Sequence, residues 1–524
     1  MKKFIKSRKL RYGSSAAILT LLMLAAVVII NVIAATLASR YEWMYKNMNL
    51  SFVYDISDNC KNYVSEFVIP AVDETNAQLE ANGQEPEKIT VIFCDEEENI
   101  TAETTQKYVL ESVRELCDMF DGYIEIEFMN IWENPSRARS YEVTSDTDVV
   151  CSFNGNHKAI SLTDFYILDA YGSTEISAYN GERVLASSLM LVTQKEAPVC
   201  YFTANHGETM SDYELLRTII ESGYVINENC FLDLSTNDIP DDCALLVTFD
   251  PKQDFIVSDS ISDVSEVDKL GEYMNAGGKY MIFLSADTFV SGGRENLEAF
   301  MADWGIKYQH ETGSDGIEDC YMIKDPSNSL SVDGYTVLSQ KATNGIGAEI
   351  LFEINASSAF GNTTCIKFAD GFESDGNGGY TKVVGGKERT VSPLMTSHTS
   401  AEAWAGGRAV ARAAEDPFVL MAIATQSCEN GEQACLIASA STEFAKQSSL
   451  QSAALSNNSA LTYLFKYMGM DKAPVDLTFK SFGNTDIESL PTRQANTLTV
   501  VLTVLPAVVC VGVGAFVLVR RKYL

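Results

Sequence analysis

Two long apolar runs, one near each end, constrain this chain more than any other feature. The run at 14–37 has no charged side chain and follows six basic residues within the first eleven positions. The run at 498–519 is also uncharged and ends at three consecutive basic residues, 520–522. At about 1.5 Å per helical residue, each run can cross a hydrocarbon core of roughly 30 Å. We therefore predict one transmembrane helix at 14–37 and another at 498–519.

The two basic clusters predict how the chain crosses the membrane. Basic residues beside a span stay on the cytoplasmic side, so both short tails, 1–13 and 520–524, are predicted to be cytoplasmic. The long segment between the spans then lies outside the cytoplasm, at the cell membrane. A cleaved signal peptide is the rival interpretation of the first run, because small residues follow at 34–39. The run exceeds the roughly 7–15 apolar residues usual in a signal peptide, which favours an uncleaved anchor.

Three residues inside the predicted spans are suited to helix packing. Asn31 interrupts the first run, and its amide can hydrogen-bond to a partner helix or reach toward the outer interface. Gly512 and Gly514 in the second run can form a closely packed helix face. Two spans cannot enclose a transport path, so any transport role must be shared with other subunits.

The segment between the spans is strongly acidic. The chain has 39 basic and 71 acidic side chains, and nine of the basic ones flank the two runs, which leaves 30 for the rest. A surface with this excess of carboxylates repels phosphate backbones, so we exclude nucleic acid as a partner. Solubility explains the charge without any ligand, and a basic or cation-rich partner is the alternative.

The first part of the segment, 41–195, predicts an α/β unit of the thioredoxin-like kind. Hydrophobic periodicity predicts its elements in this order: a strand at 88–94, a helix at 104–120, a strand at 123–129, a hairpin at 148–162 and a helix at 182–193. Cys94 is followed by acidic residues and not by the second cysteine of a redox motif. We therefore predict the fold without its redox chemistry.

The second part, 198–475, predicts a doubly wound unit of the flavodoxin- or amidotransferase-like kind, because strands alternate with helices. The predicted elements are strands at 199–203, 244–249 and 279–284, helices at 212–222, 265–275 and 294–304, a hairpin at 418–439 and a last helix near 459–468. A stretch rich in Gly, Ser and Thr, 313–415, is predicted to be an irregular insertion. Residues 476–497 are predicted to be a linker to the second span.

The twelve cysteines are predicted to be mostly reduced thiols. They are scattered singly without any C-x-x-C motif, and some, such as Cys200, lie inside apolar runs as small buried side chains do. Cys428 and Cys435 are the closest pair and flank Asn430-Gly431. A two-residue hairpin turn there places Cys428 opposite Gln433 and leaves Cys435 too far away for a disulfide.

The chain's candidate chemical residues are Asn205, His206, Gly207 and Glu208. They follow a predicted strand and precede a helix, which is where open α/β sheets bind ligands. A His-x-Glu pair can ligate a metal or act as acid and base, so these residues form a candidate ligand or interface site. The alternative is a turn that caps the helix and fastens a domain interface. We favour this structural role, because the chain has only four histidines and no second ligand pair at short spacing, and we predict no catalytic residue, metal or cofactor.

Several short motifs occur along nearly the full chain in a characteristic order. They are the basic-flanked anchor, Leu50–Ser57, Asn180-Gly181-Glu182, Tyr201–Glu208, Ile239-Pro240-Asp241, Asp254-Phe255, Gly277-Gly278-Lys279 and the terminal Arg520-Arg521-Lys522. In this order they resemble the GldG-like auxiliary components of ABC-type transport systems, a family named for bacterial gliding motility. The family's usual Gly-His-Gly-Glu appears here with Asn205 in first place, a departure at its most recognisable motif.

The resemblance implies a non-catalytic accessory subunit that acts beside an ABC permease and an ABC ATPase. The chain has no Walker A loop, in agreement with an ATPase supplied by another subunit. Two other functions stay open. One is a membrane-tethered hydrolase or amidotransferase-like enzyme that uses His206 and Glu208, and the other is a cell-surface scaffold or adhesion protein.

Overall fold

The computed structural model describes most of the segment between the predicted spans. The described residues are 54–168, 176–208, 213–227, 229–258, 264–284, 286, 294–312, 318–414, 416–452 and 454–482. Both predicted spans, with Asn31, Gly512 and Gly514, lie outside these residues, and no helix within them is long and apolar enough to cross a membrane. Contacts divide the chain into a short unit, Met1–Tyr54, and a large unit, Asp55–Leu524, to which every element below belongs.

The large unit is mixed α/β and contains several sheets. The α-helices are α1 Asp58–Tyr63, α2 Ile69–Ala81, α3 Glu97–Ala102, α4 Thr104–Met119, α5 Pro135–Ser140, α6 Gly181–Thr193, α7 Tyr213–Glu221, α8 Glu266–Asn275, α9 Glu295–Asp303, α10 Gly345–Ile350, α11 Gln447–Leu450 and α12 Asn457–Tyr467. A π-helical turn at Val64–Val68 joins α1 to α2, and 3₁₀ turns lie at Leu162–Phe165 and Glu443–Ala445.

The strands fall into a first group, which precedes α7, and a second group after it. The first is β1 Ile89–Phe93, β2 Ile124–Phe128, β3 Val149–Phe153, β4 Asn156–Ile160, β5 Tyr166–Leu168, β6 Ile176–Tyr179 and β7 Val199–Thr203. The second is β8 Phe231–Leu232, β9 Cys243–Phe249, β10 Lys279–Phe283, β11 Ile306–Tyr308, β12 His310–Thr312, β13 Glu318–Cys320, β14 Met322–Lys324, β15 Thr336–Leu338, β16 Gln340–Lys341, β17 Ala359–Gly361, β18 Ile366–Phe368, β19 Glu373–Ser374, β20 Tyr380–Val384, β21 Lys387–Thr396, β22 Glu402–Ala405, β23 Arg408–Arg412, β24 Val419–Ser427, β25 Gln433–Ser439 and β26 Lys480–Ser481.

The N-terminal part is built on a four-stranded sheet in the order β2-β1-β3-β4. Strands β1 and β2 are parallel, while β3 runs antiparallel to both β1 and β4. The central strand β1 is almost entirely apolar and buried, whereas the edge strand β2 alternates Ile and Glu because one of its faces meets solvent. Helix α6 packs on β3 and β4 and is buried over nearly its whole length. These strands and helices lie where hydrophobic periodicity predicts them.

The larger part is built on a twelve-stranded sheet. Its parallel portion has the order β8-β7-β9-β10-β25, and antiparallel strands β24, β21, β20 and β19 extend it on the β25 side. Because β7 comes first in the chain and β8 and β9 lie on opposite sides of it, the strand order reverses beside β7. The carboxyl ends of β7 and β9 therefore form a topological switch point, the usual ligand position in open α/β sheets.

The segment 313–415 differs from the predicted irregular insertion, because many of its described residues form strands. Strands β20 and β21 form a hairpin whose two loop residues, Gly385 and Gly386, have φ of 59° and 80°. Two positive φ angles define a turn that matches the twist of the strands, and the Gly-Gly pair is its sequence signal. Strand β21 then pairs with β24 over most of its length, so a part of the insertion belongs to the large sheet.

The hairpin that joins β24 to β25 has a longer loop than predicted. Ser427, not Cys428, pairs with Gln433, and the Cys428 N–H donates to the carbonyl of Glu432 at 2.8 Å. The loop thus has three central residues, with Gly431 at φ 87°, and the two-residue turn was wrong. Both Cys428 and Cys435 are buried free thiols, as are most of the eleven cysteines in the described residues.

Candidate functional site

The Asn205–Glu208 segment lies at the switch point of the large sheet. Strand β7 ends at Thr203, and the chain turns directly afterwards through His206. The loop that follows β9 lies against this turn, since the His206 carbonyl accepts hydrogen bonds from the backbone N–H of Lys252 at 2.7 Å and of Gln253 at 2.8 Å. The predicted position at the carboxyl end of a strand is therefore confirmed.

The His206 ring is buried and held on both edges. Its Nδ1 lies 2.9 Å from Oε1 of Glu208, and its Nε2 lies 2.9 Å from Oε2 of Glu266 at the start of α8. The ring also stacks on Phe255, with centroids 4.0 Å apart and planes 5° from parallel. Only 4% of His206 is exposed, so two carboxylates and an aromatic face enclose the imidazole.

The turn needs backbone conformations that few residues adopt. Asn205 has φ of 78° and Gly207 has φ of 75°, and asparagine and glycine tolerate this left-handed region best. A Cβ on Gly207 would lie 3.1 Å from Cβ of Lys252, a tight contact with the neighbouring loop. The Asn205 side chain turns away from His206 and donates to Asp233 Oδ2 at 3.2 Å.

Glu208 and Glu266, the two carboxylates beside His206, each accept further hydrogen bonds. Glu208 accepts from the His206 backbone N–H at 2.7 Å and from the Thr203 hydroxyl at 3.0 Å. The Thr203 hydroxyl lies 2.8 Å from that of Thr248 on β9, which links the site to the interior of the sheet. Glu266 Oε2 accepts from the Ile256 N–H at 2.7 Å. The cluster thus joins β7, β9 and α8 into one network.

The site favours a charged imidazole. Burial acts to lower the pKa of His206, but the hydrogen bonds to Glu208 and Glu266 outweigh it and raise the pKa to about 9. Burial acts to raise the pKa of Glu208, and the hydrogen bond to His206 reverses this and lowers that pKa. At neutral pH the ring is therefore an imidazolium that donates one N–H to each carboxylate.

This geometry does not leave His206 open to a ligand. A metal needs an imidazole lone pair, and both ring nitrogens face carboxylates. Among the residues that the structure describes, no group of three or more His, Cys, Asp or Glu side chains is placed to hold a metal ion. The site brings His206 and Glu208 together as predicted, and it adds Glu266, which sequence reasoning missed. Ser265 as an N-cap before an acidic first turn was the available signal.

Glu182, the last residue of the Asn180-Gly181-Glu182 motif, forms a second polar centre with Asp55, Ser57 and Lys480, which we call the end junction. Lys480 Nζ lies 2.8 Å from Oε1 of Glu182 and 2.6 Å from the carbonyl oxygen of Asp55. The Ser57 hydroxyl donates to Oε2 of Glu182 at 3.0 Å, and its backbone N–H also donates to this carboxylate. Glu182 thus holds Ser57 and Lys480 together, and these lie near the first and the last residue that the structure describes.

The residue after Glu182, Arg183, contacts two other helices, α7 and α12. Arg183 on α6 lies with its Nε 2.8 Å from Oε2 of Glu221 on α7, and both side chains are buried. Arg217 donates to the same carboxylate at 3.0 Å. Arg183 also donates to Thr462 on α12 at 2.9 Å and to Asn458. Burial of an ion pair costs free energy that extra hydrogen bonds offset, and both partners of this pair make such bonds.

Comparison with solved structures gives a distant likeness. No family model matches the chain, and no curated protein sequence matches it. A solved structure titled "mmIFT52 N-terminal domain" is similar at a TM-score of 0.36 and 13% identity, over 52% of this chain and 96% of that one. A likeness this weak says nothing of what the chain does.

Proposed function

We propose that the chain is a non-catalytic auxiliary subunit of an ABC-type transport system. In this proposal, helices at 14–37 and 498–519 anchor an acidic extracytoplasmic domain beside a separate permease and ATPase. The domain binds substrate or a partner in the cell envelope. The proposal rests on the two basic-flanked runs, the resemblance to the GldG-like family, and one observation in the folded domain.

That observation is the end junction. Asp55 follows the first predicted span and Lys480 precedes the second, and Lys480 contacts both the carbonyl oxygen of Asp55 and the carboxylate of Glu182. Two linkers that leave a domain at one place can lead to two neighbouring helices in one membrane. A domain that bridges two membranes, or that is anchored at two distant points, would not require its first and last residues to lie close together. The end junction therefore supports a two-span anchor on one side of the domain.

The sheet orders support the finer fold assignment that belongs to this proposal. The order β2-β1-β3-β4, in which β3 alone runs against the other three strands, agrees with a thioredoxin-like unit. The order β8-β7-β9-β10-β25 agrees with a flavodoxin-like doubly wound unit. Both arrangements occur in proteins with many functions, so they agree with an accessory subunit without requiring one.

The packing of His206 favours this function over a hydrolase. A general base needs a ring nitrogen that reaches a substrate or a water, and both nitrogens of His206 are engaged by buried carboxylates. The family motif then has a structural task, because it fastens the loop after β7 to the loop after β9 and to α8. Glu182 of the Asn180-Gly181-Glu182 motif likewise fastens Ser57 to Lys480.

Co-purification tests the proposal. Tagged full-length protein, extracted from its own cells in mild detergent, should bring down a multi-span permease and an ATPase. Replacing both Gly512 and Gly514 by Leu should reduce their recovery severalfold, because the larger side chains hold the helices apart. The control replaces Val511 and Val513 by Leu, which introduces the same residue at adjacent positions of the run where a large apolar side chain is already present, and should leave recovery unchanged.

Two results would count against the auxiliary role. One is a chain that purifies alone even after crosslinking in cells, which favours the scaffold or adhesion function. The other is hydrolysis of ester, amide or glycoside substrates that disappears in both His206→Ala and Glu208→Ala while the fold is retained, which favours the enzyme.

A further inference from the structure

A buried group of charged side chains lies where α6 of the N-terminal part meets α7 of the larger part. We call this group the charged joint, and its members are three acids and two bases: Asp164, Arg183, Glu214, Arg217 and Glu221. The four members on α6 and α7 are each at most 8% exposed. Charges at this depth interact strongly, because little water screens them.

Glu221 is the acid that both arginines hold. Its Oε2 lies 2.8 Å from Nε of Arg183, and its Oε1 accepts hydrogen bonds from Nε of Arg217 at 3.0 Å and from the Asn180 amide at 3.1 Å. Donors of this kind favour the ionised form of a carboxyl group. Glu221 is therefore the carboxylate anion at the centre of the charged joint.

Glu214 has weaker support as an anion. Its Oε2 lies 3.4 Å from Nη1 of Arg217, which is longer than the roughly 2.7–2.9 Å of a hydrogen bond between charged groups. The same oxygen accepts from the Gln451 amide at 2.8 Å, a bond that a protonated carboxyl group can also accept. Burial raises the pKa of Glu214, Arg217 lowers it and Glu221 raises it, and the net shift is upward.

Asp164 approaches the same arginine from the 3₁₀ turn at Leu162–Phe165. Its Oδ1 accepts from the hydroxyl of Tyr213, the first residue of α7, at 3.2 Å. Burial raises the pKa of Asp164, Arg217 lowers it and Glu221 raises it, again with a net upward shift. Two further acids thus depend on an arginine that already holds Glu221.

The charges of the joint do not balance when every member is ionised. Three carboxylates and two guanidinium groups leave one negative charge in excess. An unbalanced charge in a dry interior costs far more free energy than a protonated, neutral carboxyl group. The charged joint is neutral when one of its carboxyl groups holds a proton.

We propose that the charged joint binds one proton, held on Glu214 while Glu221 stays between the two arginines, and that release of this proton to solvent loosens the contact of α7 with α6. Arg183 follows Glu182 directly on α6, so the charged joint borders the end junction. The domain thus responds to acid through a group in its interior. This inference is independent of the auxiliary role proposed above, since it requires only the folded domain.

The direction of the response follows from the raised pKa of Glu214. The bound proton stabilises the fold fully below the ordinary glutamate value of 4.5, and this stabilisation is lost as the pH rises through the higher pKa of the folded chain. His206 stabilises the fold fully up to about pH 6.5, the ordinary value of its pKa. A comparison of pH 5 with pH 6.5 therefore reports on Glu214 and not on His206.

Hydrogen exchange of the full-length protein measures the contact. The protection of the α7 amides is taken relative to their intrinsic exchange rates, which removes the direct effect of pH. The ratio of this protection in Glu214→Gln to that in wild type should rise about tenfold from pH 5 to pH 6.5, because the neutral amide has no proton to lose. Asp164→Asn should give the same rise, since the two remaining carboxylates then balance the two arginines.

Glu111→Gln is the matched control. Glu111 is a half-exposed glutamate on α4 in an ion pair with Lys107, so its removal should leave the α7 ratio the same at both pH values. A ratio for Glu214→Gln that does not change with pH in the folded chain overturns the proposal. If Glu214→Gln does not fold, Asp164→Asn decides instead, and an unchanged ratio in that variant counts equally against the bound proton.

Discussion

At the scale of single residues, the buried His206 makes stability depend on pH. Its pKa is about 9 in the folded chain and about 6.5 without partners. A raised folded-state pKa stabilises the fold fully below 6.5, and this stabilisation is lost as the pH rises through 9. The difference between the two pKa values corresponds to about 3 kcal/mol.

We therefore expect the wild-type chain to lose about 3 kcal/mol more than His206→Gln between pH 6.5 and pH 9. The measurement is the free energy of unfolding by denaturant at the two pH values. His157→Gln, at an exposed histidine, is the matched control and should keep the wild-type dependence. Equal pH dependence in wild type and His206→Gln would show that the carboxylates do not hold a charged ring.

At the scale of elements, α6 is tied to α7 by the buried pair of Arg183 and Glu221. Glu221→Gln keeps the shape but removes the carboxylate that Arg183 and Arg217 share. Because this leaves buried guanidinium charge without its partner, we expect a loss of about 3 kcal/mol in the free energy of unfolding. Denaturant titration of the purified chain measures it.

An exposed pair provides the comparison for this element. Arg114 and Glu97 also form an ion pair, with side chains about half exposed. Solvent screens such a pair, so Glu97→Gln should cost less than about 1 kcal/mol. Equal losses in the two variants would mean that burial adds nothing to the α6–α7 contact.

At the scale of the whole molecule, the end junction brings together Asp55 and Lys480, which lie on the sides of the domain's sequence that lead to the two predicted spans. Together with the basic clusters beside both runs, this predicts that the two termini lie on the same, cytoplasmic side. Reporter fusions at each terminus measure the side directly. A terminus outside the cytoplasm, or a mature chain that begins near Ser39, would refute the two-span topology.

Local pattern was enough to locate many of the longer helices and strands of the fold. The alternation in 124–128 and the apolar run in 89–93 predict strands because side chains on a strand point alternately to two faces. Helix α8 begins where Ser265 supplies an N-cap. The short strands of 313–415 escaped prediction, because three-residue strands carry too little periodicity to stand out from turns.

The sequence by itself determined where the polar motifs lie, and the tertiary structure decided their partners. His206 and Glu208 are neighbours in the chain, so a local motif finds them. Glu266 lies 60 residues beyond His206, and Lys480 lies 298 residues beyond Glu182. Such contacts depend on the order in which strands join the sheet. That order is set by the need to bury both faces of the sheet at once. This requirement involves residues far apart in the chain, so it cannot be seen in a short window of sequence.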